Sequence, residues 1–202
     1  RYELTADVIS ATSDACIAIR SSDVELQSNG HVLTGGRVEG SVGLEIYRLE
    51  AEVTNVTVRN LAVRDWGHGV EIGRSDWYRP PGAPASATLS GVQARNNVHH
   101  GIYVSASEGS RLSSVVVEDN GGTGFGILDS SELRIEALTA TGNGAHGLAL
   151  FEGVFDGTHS GITTAGNGGA GIFLGEIVTG NRFEELTVQG NGGPQVEGYD
   201  GT

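Results

Sequence analysis

The 202-residue sequence has no lysine, no methionine, one cysteine, four prolines and only 6% aromatic residues. Each shortage removes a class of reading. With lysine absent, all twelve basic side chains are arginine, and 25 Asp and Glu set the formal net charge at −13. Nucleic acid is therefore excluded as the expected partner, because binding phosphate requires clustered positive charge. Cys16 has no second cysteine to pair with, and its apolar setting between Ala15 and Ile17 reads as a buried thiol. No apolar run reaches the roughly 18 residues that a membrane-spanning helix needs. Methionine is missing even at position 1, which predicts a chain processed or excised from a longer product, one from which any signal peptide has been cleaved.

Glycine is plentiful, at 33 residues, and it falls into a pattern. Asn97, Asn120, Asn143, Asn167 and Asn191 recur at steps of 23, 23, 24 and 24 residues. Four residues after each of the first four begins a glycine-led apolar segment: Gly101-Ile-Tyr-Val, Gly124-Phe-Gly-Ile, Gly147-Leu-Ala-Leu and Gly171-Ile-Phe-Leu. Before each Asn, apolar residues alternate with period two, as at Val115 and Val117 or Leu138 and Ala140, which is strand patterning. A unit of this length cannot bury its apolar side alone and must stack on copies of itself. The expected fold is a single all-β domain, a right-handed parallel β-helix of about seven coils with 23 to 24 residues per coil. Stacked coils about 4.8 Å apart turn sequence columns into physical ladders.

The rest of the chain extends the array. Cys16 to Thr34 reads as an opening coil and Val42 to Val63 as the next, and residues 1–12 read as an N-terminal cap crossing the first coil. Asp65 stands four residues before Gly69, as each ladder Asn stands before its Gly, and is expected to extend the column downward. Residues 74–84 hold three of the four prolines and make this coil about nine residues too long, so they are expected to leave it as a loop. Residues 192–202 carry no helical or polar cap, which predicts either continuation beyond Thr202 or end-to-end self-association.

Four groups of side chains are candidates for chemistry. The Asn ladder, with Asp65, is read as structural, its amides bonding along the stack. His68, His99 and His100 fall near one another if the coils register as counted. They are either copper, nickel or zinc ligands or solvent-exposed turn residues. Asp129, Glu152 and Glu176 are spaced by 23 and 24, and so project from one turn of three neighbouring coils. They are an exposed acidic ladder, a calcium site or a catalytic carboxylate set. Trp77 and Tyr78, flanked by Arg74 and Arg79 in the loop, offer flat faces and charge for a glycan or a protein partner, with Trp66 enlarging the patch. Asn55-Val-Thr is the sole N-glycosylation sequon.

Cys16 to Gly35 resembles the opening coil, and Asn97 to Val104 the later repeats, of secreted right-handed parallel β-helix proteins of the NosD-like group. The acidic, lysine-free composition resembles that of proteins from extreme halophiles. The resemblance covers about residues 12 to 192 and implies the fold. Its namesake implies a copper-related accessory role, while other proteins with this repeat are lyases, hydrolases, epimerases and adhesins. The Asp-Pro-His-Glu signature of alginate epimerases is missing. The expectation is a non-catalytic, extracellular or cell-surface module of a larger protein, contacting glycan or protein through the aromatic loop. The competing expectation is a polysaccharide-active enzyme using the carboxylates.

Overall fold

The structure, a computed structural model, describes residues 1–73 and 84–199. All strand pairs among them are parallel, and no helix is present among the described residues. The first sheet has nine strands, eight of which succeed one another coil by coil: Ala15–Ile19, Val42–Ile46, His68–Ile72, Ile102–Ser105, Phe125–Leu128, Leu148–Phe155, Ile172–Thr179 and Val196–Gly198; the ninth, Ser130–Ser131, pairs with the end of Leu148–Phe155. The solenoid thus has eight coils, one more than the spacing count predicts. The addition is the short final strand.

The other sheet is wider because it bends. Arg111–Glu118, Arg134–Thr141 and Thr158–Ala165 each cross both of its flanks in one strand, whereas the earlier coil divides into Ala85–Ser90 and Gln93–Arg95. At each corner one residue takes the left-handed conformation, with φ of 52° at Ser114, 59° at Ala137 and 61° at Gly161. For non-glycine residues this costs about 1–2 kcal/mol each, offset by the burial the corner permits.

Inward side chains of the first sheet stack in register. Leu44, Val70, Ile102, Phe125, Leu148 and Ile172 form one buried ladder, with Ile46, Ile72, Val104, Ile127 and Leu150 beside it. Each rung hides its apolar surface only because a neighbour covers it. In the last coil Val196 is 52% exposed.

The asparagines hold the turn between the sheets. Asn143 Oδ1 accepts from both the backbone N–H and the side-chain amide of Asn120, at 3.2 and 2.9 Å. Its own amide donates to Val117 O and Asn167 Oδ1. The same bonds repeat from Asn97 to Asn191, so buried amides satisfy turn groups that would otherwise lack partners.

Two register expectations need correction. Val63 pairs with Ala94 and Arg64 with Arg95, so Asp65 aligns with Asn96 and the Asn column continues through Trp66. The turn from Trp66 to Gly69 is one residue shorter than that from Asn97 to Gly101, which misplaces a count made backward from glycine. Asp65 instead occupies the exposed side of the corner, with φ of 61°. The segment 1–12 does not cross the first coil either. Tyr2–Glu3 pairs with Leu26 and Gln27, and Val8–Ile9 with Leu33 and Thr34, so this segment covers the coil by stacking on it as a further partial turn.

Candidate functional site

Residues alternate in a strand, so whatever stands between two core positions points outward. On the first sheet the position two after the repeat glycine is outward, and successive coils place Glu45, Glu71, Tyr103, Gly126, Ala149 and Phe173 there in register. Over the first coils this column floors a groove of about 650 Å³. His68 and His100, from the column just before the glycine, line one side. Arg20, Tyr47 and Ser105 line the other, and Gly73, the last described residue before Arg74, completes it.

The groove is polar and pre-organised. Arg20 donates from Nη2 to Glu45 Oε2 at 2.6 Å and from Nη1 to Tyr47 O at 2.9 Å, with its guanidinium 4.2 Å above the Tyr47 ring. That pairing permits Glu45 to be buried. His68 Nδ1 lies 3.5 Å from Glu71 Oε1 but is buried without hydrogen-bond geometry. Burial, helped by the neighbouring His100 and His99, lowers the His68 pKa to about 3, so its contact with Glu71 is a polar contact of a neutral imidazole and not an ion pair. His100 is also lowered by burial. The Tyr103 phenol is raised, first by burial and then by the negative potential of Glu71 and Asp129, and stays protonated at neutral pH. The His100 and Tyr103 rings stack at 5.2 Å and 14°. Neutral imidazoles beside a protonated phenol can accept and donate hydrogen bonds or protons.

The histidine cluster is real in space: the His68 ring is 5.0 Å from His99 and 5.4 Å from His100. Among the described residues no three His, Cys, Asp or Glu side chains are arranged to hold an ion. His100 Nδ1 already accepts from the Thr123 N–H at 3.2 Å, and His99 Nε2 turns toward Glu39 Oε1 at 3.7 Å. His146 repeats the first arrangement with the Ala170 N–H, so this histidine column also ties coil to coil.

Trp66 is not part of a surface patch. It is 0% exposed, its indole N–H donates to Leu33 O at 3.1 Å, and its backbone N–H donates to Asn97 Oδ1. Filling an Asn position with an indole closes the core below the regular array. Trp77, Tyr78, Arg74 and Arg79 lie outside the described residues. Asn55 is exposed, and its amide donates to Asp23 Oδ1 at 2.7 Å.

Of the three carboxylates, Glu152 and Glu176 pair in register. Asp129 is offset. Ile127 pairs with Leu150 but Ser130 with Val154, so the later coil holds an extra residue at this edge. Asp129, with φ of 45°, therefore aligns on Gly153, the next left-handed residue, and its N–H donates to Glu152 O.

The sequence reading missed Arg20, Glu45, Tyr47, Glu71 and Tyr103. The usable signal was the outward column itself, where the residue two after each glycine changes from Glu to Tyr to Gly while its inward neighbours stay aliphatic.

Among solved structures, the chain is similar to the A-module of the Azotobacter vinelandii mannuronan C-5 epimerase AlgE4, with TM-score 0.73 and 12% identity over 98% of this chain and 57% of that one. The AlgE6 A-module from the same organism gives 0.58 and 16% over 96% of this chain and 60% of that one. The Agl-KA catalytic domain gives 0.52 and 16% over 92% of this chain and 39% of that one. At these identities the likeness is one of fold, and the chain spans well under two thirds of each neighbour. No curated protein matches the chain in sequence. The right-handed β-helix region family matches residues 68–202, more than half of the chain, and its pattern is the one the stacked coils display, so the chain belongs to the right-handed β-helix family.

Proposed function

We propose that the chain is a glycan-binding module of an extracellular or cell-surface protein, and that it binds saccharide in the groove over the first sheet. The observation that carries this reading is the combination of Arg20, Glu45 and Glu71 with the rings of Tyr47 and Tyr103 in one groove. Planar charged groups suit sugar hydroxyls, and flat rings suit the C–H faces of a pyranose. Two solved neighbours of the same fold are named as mannuronan C-5 epimerases, which supports a saccharide as the ligand class.

Calorimetry against a panel of oligosaccharides tests the proposal. A binding sugar should lose at least tenfold in affinity with Tyr103→Ala and with Glu71→Gln, and lose nothing with Arg111→Ala on the other sheet. Equal affinity in all four proteins would remove the groove from the account.

A second reading rests on the protonation states. His68 and His100 are neutral and Tyr103 is protonated, which is the pairing a proton-transfer enzyme uses. Incubation with polysaccharides should then yield new reducing ends, unsaturated products or inverted centres, and their absence alongside measured binding would leave the module alone.

A further inference from the structure

Beyond the groove, the same outward face carries a strip of aromatic rings. Tyr103, Phe151 and Phe173 follow one another with centroids 6.4 and 6.2 Å apart, and each is half-buried. The rings lie across small residues: a Cβ added at Gly126 would come within 2.9 Å of carbons of both Tyr103 and Phe151. His100 stacks on the Tyr103 end, and His146 stacks on Phe173 at 4.6 Å and 24°. From Tyr103 to Phe173 the three outward columns contain no acidic residue and no arginine, in a chain of net charge −13. Their only ionisable members besides Tyr103 are His100 and His146, both lowered by burial.

Acids stand immediately beside the strip. Glu152 follows Phe151 in the chain and pairs in register with Glu176, whose carboxylate accepts from the Tyr199 hydroxyl. The surface therefore offers apolar faces along its middle and anionic acceptors along one rim. Sugar hydroxyls can donate to such a rim, whereas a polyanion is repelled by it.

We infer that this strip is a track for a linear, uncharged polysaccharide lying parallel to the solenoid axis, entered from the groove and ending near Phe173. The inference rests on the glycan reading of the groove and adds the ligand's charge, its direction and its length. Six rungs, from Glu45 to Phe173, span about 24 Å at the strand spacing of about 4.8 Å, room for several sugar rings in a row. Successive rings are tilted by 47° and 50°, so a sugar would meet each at its own angle, and the missing side chain at Gly126 lets the first two approach.

Titration of neutral β-linked oligosaccharides from the disaccharide to the octasaccharide tests the track. Affinity should climb at least tenfold with chain length in the unaltered protein. Phe173→Leu keeps apolar bulk but removes the flat face, and it should erase most of that gain while leaving the disaccharide unchanged. Tyr103→Ala should weaken every length. Circular dichroism and a melting curve on each variant separate lost contacts from lost fold. Affinity independent of length, or a Phe173→Leu protein that keeps the full gain, would overturn the track and leave the groove standing. An oligouronate bound more tightly than its neutral counterpart would overturn the uncharged class. No binding of any sugar would remove the groove reading and the track together.

Discussion

The turn that carries Asn97 to Asn191 and the outer face that carries Glu45 to Phe173 belong to the same coils and obey opposite rules. At the turn one residue type is repeated and every amide is bonded to the next. On the face the rungs vary, passing from two Glu to Tyr, Gly, Ala and Phe. Repetition is what stacking requires, since each rung must fit the one above and below. Variation is free only where a side chain leaves the stack, and there a ligand can be met. The bonded turn accounts for stability, and the varied face is where the proposal puts recognition.

Asn143→Leu breaks the comparison on its scaffold side and should have the largest effect. It strands the Asn120 N–H and amide and the Val117 carbonyl, a loss of about 4 kcal/mol at 1–3 kcal/mol per buried unpaired group. A melting curve should fall sharply, while saccharide affinity measured below the transition stays unchanged.

Acid should be next. His159 is fully buried, its Nδ1 has no hydrogen-bond partner, and burial lowers its pKa to about 4 despite the nearby Asn181. The neutral form is thus favoured in the fold and the unfolded chain binds the proton more readily. Stability is complete above the unfolded value of 6.5 and falls as pH drops from there toward about 4, by roughly 3 kcal/mol. Denaturant midpoints across that window should show the slope, and His159→Phe should reduce it by its own share, leaving the part that the buried His68 contributes in the same direction.

Ile177 sharpens the contrast by a smaller amount. It is 61% exposed yet has φ of 54°, a conformation that β-branched residues resist, in the corner column shared with Asp129 and Gly153. Ile177→Gly should raise stability by about 1 kcal/mol, read as an upward shift in melting temperature. Smallest of all, Phe173→Leu should change stability by less than about 0.5 kcal/mol, since it keeps a half-buried apolar side chain in place. Its effect belongs to binding of long oligosaccharides.

The fold was legible because the Asn spacing and the period-two aliphatic positions are both written into the chain, the first in the five coils from Asn97 to Asn191 and the second beyond them. Register within a coil was less so. Asp65 was misplaced by one residue because the turn after Trp66 is shorter, and Asp129 because the edge before Val154 is longer. A count along the chain cannot show where a residue is gained or lost. Trp66 read as a surface aromatic because its core position is defined by Leu33 and Asn97, which are far from it in sequence. The groove escaped notice for a related reason. Glu45, Glu71 and Tyr103 look like ordinary outward strand residues until stacking puts them side by side.

The most direct test of the division between scaffold and face is amide chemical-shift mapping of the 20.9 kDa chain during titration with a neutral oligosaccharide. The account predicts that the largest shifts fall in His68–Ile72, Ile102–Ser105 and Phe125–Leu128 and extend through Leu148–Phe155 to Phe173 as the oligosaccharide lengthens, with Arg111–Glu118 and Arg134–Thr141 nearly still. Shifts concentrated on those last two strands, or on the turn of the Asn column, would contradict it.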